Sequence, residues 1–205
     1  MSLSPPIRTD RRPTLAVCAY DFDDADWDEA GQSEALGFGG GGVRSLLVEP
    51  DTPQVLAGAL RARLIAGECR GLLLVGRSAQ AERFRVQMRA SNRNLEGSGK
   101  LSGTGPAMAR STAPVAEMVR ELKDAGLPAE ASSEGEHDVG SYLLYAILTG
   151  LPDDLPTPAI GLLRAPATAS RRDMARGVRI AANAMAQGFS PERRPLLDPS
   201  SSAPV

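Results

Sequence analysis

The chain has 205 residues, 42% of them hydrophobic and 23% charged, with a formal net charge of −2. This is the size and balance of one globular domain with short tails, and it excludes a broad basic footprint for nucleic acid or an anionic membrane surface. No apolar run approaches the roughly 20 residues that span a bilayer, and the polar N-terminal stretch lacks the apolar core of a signal peptide, so cytoplasmic residence is the expectation.

Residues 1–13 and 189–205 are rich in Pro, Ser and Arg and read as flexible tails around one domain over 14–188. Thr14–Tyr20 and Val43–Glu49 are short apolar runs of the kind that form buried strands. Thr52–Ala66 carries Val55, Leu56, Ala59, Leu60, Arg63 and Leu64 at helical spacing. Gly71–Val75 is a continuous apolar strand, and Arg83–Ala90 alternates Phe84, Val86 and Met88 against polar partners. Residues 93–111 are polar and Gly/Ser-rich, hence loop. Ser111–Ala125 reads as an amphipathic helix stopped by Gly126, Pro128–Ser132 as a brief extended piece, and Asp138–Thr149 as a helix capped by its first residue. Ala159–Leu163 is a strand pattern and Arg171–Gln187 a closing helix. Strands alternating with helices predict a three-layer α/β/α sandwich, phosphorylase/hydrolase-like, around a mixed, mostly parallel sheet.

Several motifs fail on inspection. The Gly37–Gly42 run is followed by a strand pattern, whereas a phosphate-cradling loop must open a helix. Gly97-Ser98-Gly99-Lys100 resembles the end of a nucleotide-binding loop, but Asn94 and Leu101 stand where Gly and Ser/Thr are needed. The acidic run Asp21–Glu29 matches no register of a twelve-residue calcium loop. Cys18 and Cys69 have no metal-type spacing and read as buried free thiols. His137, the one histidine, sits in a polar stretch and reads as exposed. No metal or cofactor is expected.

Three ordered segments carry a resemblance. Gly105–Ala129 (GPAMARSTAPVAEMVRELKDAGLPA), Ser132–Leu148 (SSEGEHDVGSYLLYAIL) and Ile160–Pro166 (IGLLRAP) resemble, in order and spacing, stretches of the pyroglutamyl-peptidase I family of cysteine peptidases. The likeness covers about residues 105–187 well and 14–92 weakly. It implies that family's α/β fold and a mechanism in which a Cys thiolate attacks, a His serves as base and a carboxylate orients the His.

At the matching positions those groups are missing. The family's cysteine in "GTYVCN" falls on Leu144, and its histidine in "GFIHVP" falls on Arg164. The carboxylate falls on Gln87 in an ungapped register, with Glu82 as the alternative if one deletion is allowed. Leucine has no lone pair for an acyl carbon, and a guanidinium stays protonated and cannot act as base. The lactam-pocket loop corresponds to Cys18–Ala25, where Tyr20 keeps one aromatic and Asp23 stands at the other. The expectation is therefore a pyroglutamyl-peptidase-like protein without peptidase activity, a binding or interaction protein, with no catalytic residue at Gln87, Leu144 or Arg164. Tyr20, Arg77 and Arg164 are the ligand-binding candidates, for a small acidic ligand or peptide in a cleft made cationic by the two arginines, and a homo-oligomer is compatible with the family. The competing expectation is an active cysteine peptidase that removes N-terminal pyroglutamate with displaced groups.

Overall fold

A computed structural model of the protein describes residues 14–20, 44–48, 51–96 and 99–189. The expectations placed on 1–13, on the acidic run at 21–29, on the glycine run at 37–42, on Gly97 and Ser98, and on 190–205 lie outside the described residues.

The apolar runs form strands. β1 (Thr14–Ala19), β2 (Arg44–Val48), β3 (Gly71–Ser78) and β8 (Ala159–Pro166) run parallel as one block in the order β2-β1-β3-β8. β3 and β8 occupy the middle, buried on both faces, which is why Gly71–Val75 and Ala159–Leu163 are continuously apolar rather than alternating. Both outrun the predicted ends at Val75 and Leu163, because pairing continues to Ser78 opposite Pro166. β4 (Phe84–Gln87) pairs antiparallel with β8, and β7 (Ala129–Ser132) runs parallel to β4 at the edge, so the six-stranded sheet is mixed and mostly parallel.

Among the described residues four helices cover the two faces. α1 (Pro53–Ile65), with proline in its first turn, buries Leu56, Ala57, Leu60 and Leu64; Val55, expected on its inner stripe, faces out. α3 (Val139–Thr149) lies beside it, packed with Leu143, Leu144, Tyr145 and Ile147 against Ala16, Cys18, Leu72, Leu74 and Leu162 of the sheet. On the other face α2 (Val115–Asp124) and α4 (Arg171–Gln187) set Met118, Leu122, Met174, Val178 and Met185 against Leu15, Val17, Leu73, Val75, Phe84, Val86 and Leu163. This is a three-layer α/β/α arrangement.

Four sequence expectations need correction. The strand predicted over Arg83–Ala90 is two strands: after Gln87 the chain leaves the main sheet at an exposed Met88, and β5 (Arg89–Ser91) pairs antiparallel with β6 (Met108–Arg110) in a separate hairpin. β6 itself lies in the stretch read as loop. The helix predicted from Ser111 starts at Val115 instead. Residues 111–113 act as a strap on β8, with the amides of Thr112 and Ala113 and the hydroxyl of Ser111 all donating to the Ile160 carbonyl. They occupy the flank that β4, paired with β8 only around Val86 and Arg85, leaves open. At the C-terminal end, Phe189, assigned to the tail, is buried against Gly71.

Gly126 ends α2 as expected: its φ of +77° is a conformation that favours glycine, and the amides of Gly126 and Leu127 return to the carbonyls of Lys123 and Leu122.

Candidate functional site

Side chains alternate along a strand, so Arg164 shares the α3 face of the sheet with Ile160 and Leu162, while Leu163 and Ala165 face α4. By the same alternation Gln87, next to the inward-facing Val86, faces α3 from the antiparallel neighbour. The α3 N-terminus lies over the same end. Its cap is Asp138, whose Oδ1 accepts the amide of Ser141 at 2.8 Å.

These elements converge on a guanidinium that is completely withdrawn from solvent, Arg164 being 0% exposed. Its Nη1 donates to Gln87 Oε1 at 2.8 Å. Its Nη2 donates to Asp138 Oδ1 at 2.7 Å and to Ser141 Oγ at 2.8 Å, and its Nε donates to Asp138 Oδ2 at 3.1 Å. Glu136 Oε2 stands 3.6 Å from that Nε, accepts the Ser78 hydroxyl at 2.7 Å, and faces Arg85 through its other oxygen. Two cations and two carboxylates thus balance within one cluster. Burial pulls the Arg164 pKa down, but attraction from Tyr20, Asp138 and Glu136 outweighs it and leaves the pKa above its ordinary value. The group is a fixed cation with no capacity to accept a proton.

Gln87 is held from behind. Its Nε2 donates to the carbonyls of Arg89 and Glu134, both at 2.8 Å, so its oxygen is turned toward Arg164. Glu82, the alternative carboxylate position, is exposed in the turn before β4, with no hydrogen bond or ion pair to Arg164. Leu144 lies one turn beyond Ser141 on α3, 0% exposed in the apolar cluster beneath the sheet. The structure therefore joins Gln87 and Arg164 directly and sets Leu144 in the core next along the same helix.

Tyr20 follows β1, its amide donating to the Val75 carbonyl. Its ring is buried between Gly76 of β3 and Gly140 of α3: a Cβ at either glycine would fall 2.1 Å from Cζ or 2.5 Å from Oη. Glycine at both positions is what lets an aromatic ring lie there. Arg77 does not join this cluster. Gly76 pairs with Arg164, so Arg77 pairs with Ala165 and points to the α4 side, where its Nη1 donates to the Ala167 carbonyl at 2.8 Å and to the Ala169 carbonyl at 3.4 Å. The expected cationic cleft built from Arg77 and Arg164 is not formed; strand alternation puts the two on opposite faces.

Among the described residues neither cysteine thiol bonds to a basic side chain. Cys18 points into the apolar layer under α1 and α3, where burial pushes its thiol up to about 12. Cys69 is raised to about 11, by burial first and then by the Glu68 carboxylate, against a lowering by Arg63. His137 is exposed, and with Glu136, Asp138, Ser141, Tyr142 and Ser91 it borders a depression of about 10 Å³, room for one water. Among the described residues no three His, Cys, Asp or Glu side chains gather in a way that could hold a metal ion, and no helix is long and apolar enough to cross a membrane.

Sequence reasoning identified Gln87 and Arg164 through the resemblance but missed Glu136, Ser141 and Ser78, and saw Asp138 only as a helix cap. The signal for Ser141 was its place three residues after that cap, where a side chain faces the same way as the capping carboxylate.

No family model and no curated relative matches the sequence. Solved structures do match. Pyroglutamyl peptidase I from Bacillus amyloliquefaciens superposes over 85% of this chain and 95% of its own, with a TM-score of 0.68 at 18% identity. A mutant pyrrolidone carboxyl peptidase from Pyrococcus furiosus gives 86%, 99%, 0.71 and 14%. The pyrrolidone carboxyl peptidase from Thermococcus litoralis gives 84%, 93%, 0.70 and 13%. The chain has the fold of these peptidases.

Proposed function

We propose that this chain keeps the pyroglutamyl-peptidase scaffold without its cysteine peptidase chemistry, and works as a binding or interaction protein. The observation that carries the reading is the state of Arg164. The position where the resemblance places a base holds a permanent cation, wholly buried and bonded to Gln87, Asp138 and Ser141. A proton acceptor is excluded there by chemistry, and a ligand contact by burial. Leu144, where the nucleophile would stand, offers only hydrocarbon. In place of a reacting dyad, the site holds an ion cluster that ties β8 to α3.

An active cysteine peptidase with displaced groups would need a thiolate beside a base. Neither thiol meets that need: both are buried and raised well above neutral pH, and the exposed His137 has no contact with either among the described residues. A small acidic ligand held by Arg164 and Arg77 is also disfavoured, since one is internal and the other turns to the opposite face.

The test is hydrolysis of a pyroglutamyl-aminomethylcoumarin substrate by the full chain. No release above the blank is expected. Turnover that disappears in Cys18→Ser or Cys69→Ser would overturn the reading.

A further inference from the structure

The outer face of the β5–β6 hairpin sets two like charges side by side across the strands. Arg89 pairs with Arg110 and Ser91 with Met108, alternating with the buried pair Ala90 and Ala109, so these four side chains share the outward face. The Ser111 amide donates to the Met88 carbonyl and the Asn92 amide to the Ala107 carbonyl, which makes 88/111 and 92/107 the hydrogen-bonded pairs. Arg89 and Arg110 then fall at a non-hydrogen-bonded pair, where Cα atoms approach to about 4.5 Å and side chains lie closest. Like charges placed so repel.

Among the described residues no carboxylate forms an ion pair with either guanidinium. Arg89 donates its Nε to the Ser133 carbonyl, and Arg110 has no hydrogen-bond or ion-pair partner among the described residues. The carboxylates of Glu130 and Glu136 are engaged by Arg83, Arg85 and Arg164. Met108, 49% exposed, lies on the same face two residues before Arg110.

We infer that this face docks an acidic peptide segment of a partner protein, with a carboxylate bridging Arg89 and Arg110 and a neighbouring apolar side chain covering Met108. Charge complementarity selects the carboxylate, which converts a repulsive pair into two charge-assisted hydrogen bonds. The adjacent methionine selects a peptide over a bare anion, and a net charge of −2 argues against a long polyanion. The inference is independent of the loss of peptidase chemistry, because no side chain of this face touches Arg164.

The experiment is fluorescence anisotropy of the full chain with a labelled peptide of alternating Glu and Leu, beside the same peptide with Gln for Glu. The Glu peptide is expected to bind and the Gln peptide not. Arg110→Glu should weaken binding about tenfold or more at an unchanged or higher Tm, since it replaces a repulsive pair with an opposite-charge pair; Arg89→Glu should weaken binding as much, but it also loses the Nε bond to the Ser133 carbonyl, so the Tm criterion is read on Arg110→Glu. Met108→Ser should weaken it several-fold, and millimolar inorganic phosphate should not displace the peptide. Absence of binding, equal binding of the Gln peptide, affinity untouched by both charge reversals, loss of affinity only with a lowered Tm, an unaffected Met108→Ser, or displacement by phosphate would each overturn the proposal.

Discussion

Asp138 Oδ1 accepts Arg164 Nη2 at 2.7 Å and the Ser141 amide at 2.8 Å, so one carboxylate oxygen both neutralises a buried cation and caps helix α3. Local helix formation and the long-range joining of α3 to β8 are therefore the same event. A substitution at Asp138 acts on both.

Asp138→Ala should cost on the order of 3–5 kcal/mol for the stranded guanidinium, plus about 1 kcal/mol for the cap. Asp138→Asn keeps an acceptor for the Ser141 amide and should cost clearly less. Arg164→Met removes the buried charge, so the double variant Asp138→Ala/Arg164→Met should be more stable than Asp138→Ala alone. Urea midpoints at constant slope measure this; a double variant no better than the single would show that the stranded charge is not the main source of the loss.

Gln87 is where the ungapped resemblance places a carboxylate, yet its surroundings require an amide. Two carbonyls receive its Nε2, and a glutamate oxygen there would face them instead. Gln87→Glu should destabilise by about 1–3 kcal/mol at neutral pH despite the adjacent Arg164. A protonated Glu could donate to one carbonyl, so its folded pKa would be raised above the unfolded value of about 4.3. The penalty should then shrink as pH falls toward 4, and a penalty that grows on acidification would refute the assignment.

Tyr20 fits only because residues 76 and 140 lack a Cβ. Gly140→Ala should improve helix propensity by up to about 1 kcal/mol, but the ring clash is worth about 1–3 kcal/mol in the other direction and should win. Combined with Tyr20→Ala, the alanine at 140 should cost less than it does alone, a coupling that a double-mutant cycle by chemical denaturation reads directly. Additive losses would mean that the ring can move aside.

How legible this was depended on the range of the interaction. Buried central strands announce themselves through unbroken apolar runs such as Gly71–Val75, though not through the polar end that continues to Ser78, and Asp138 as a cap is written just before the first residues of α3. The break at Met88 is not visible in sequence, because the alternation of Phe84, Val86 and Met88 continues through it; the change of sheet depends on which strand receives the next backbone group. The place of Arg77 was recoverable in principle by counting alternate residues along the strand, but only once the register setting Gly76 beside Arg164 was known. Glu136 and Ser78 sit 58 residues apart and meet only in the folded chain. The resemblance located Gln87 and Arg164 without showing that they would bond to each other.

The thiol of Cys18 supplies a pH signature. Its folded pKa of about 12 exceeds the ordinary value of 9.0 because burial penalises the thiolate. The folded state therefore holds a proton that the unfolded state releases. Its contribution is fully present below pH 9 and is lost as pH rises from 9 toward 12, by up to about 1.4 kcal/mol per pH unit within that window. Cys18→Ala removes the titrating group at the cost of a small cavity, so wild type minus variant stability should be flat from pH 7 to 8.5 and then fall steadily to pH 11. Cys69, raised to about 11, titrates in both proteins and cancels in the difference. A disulfide-exchange reagent at pH 8 should leave Cys18 unmodified until urea unfolds the chain. Rapid labelling of the native protein, or a stability difference that stays flat to pH 11, would mean that this thiol is not held in the apolar layer beneath α3.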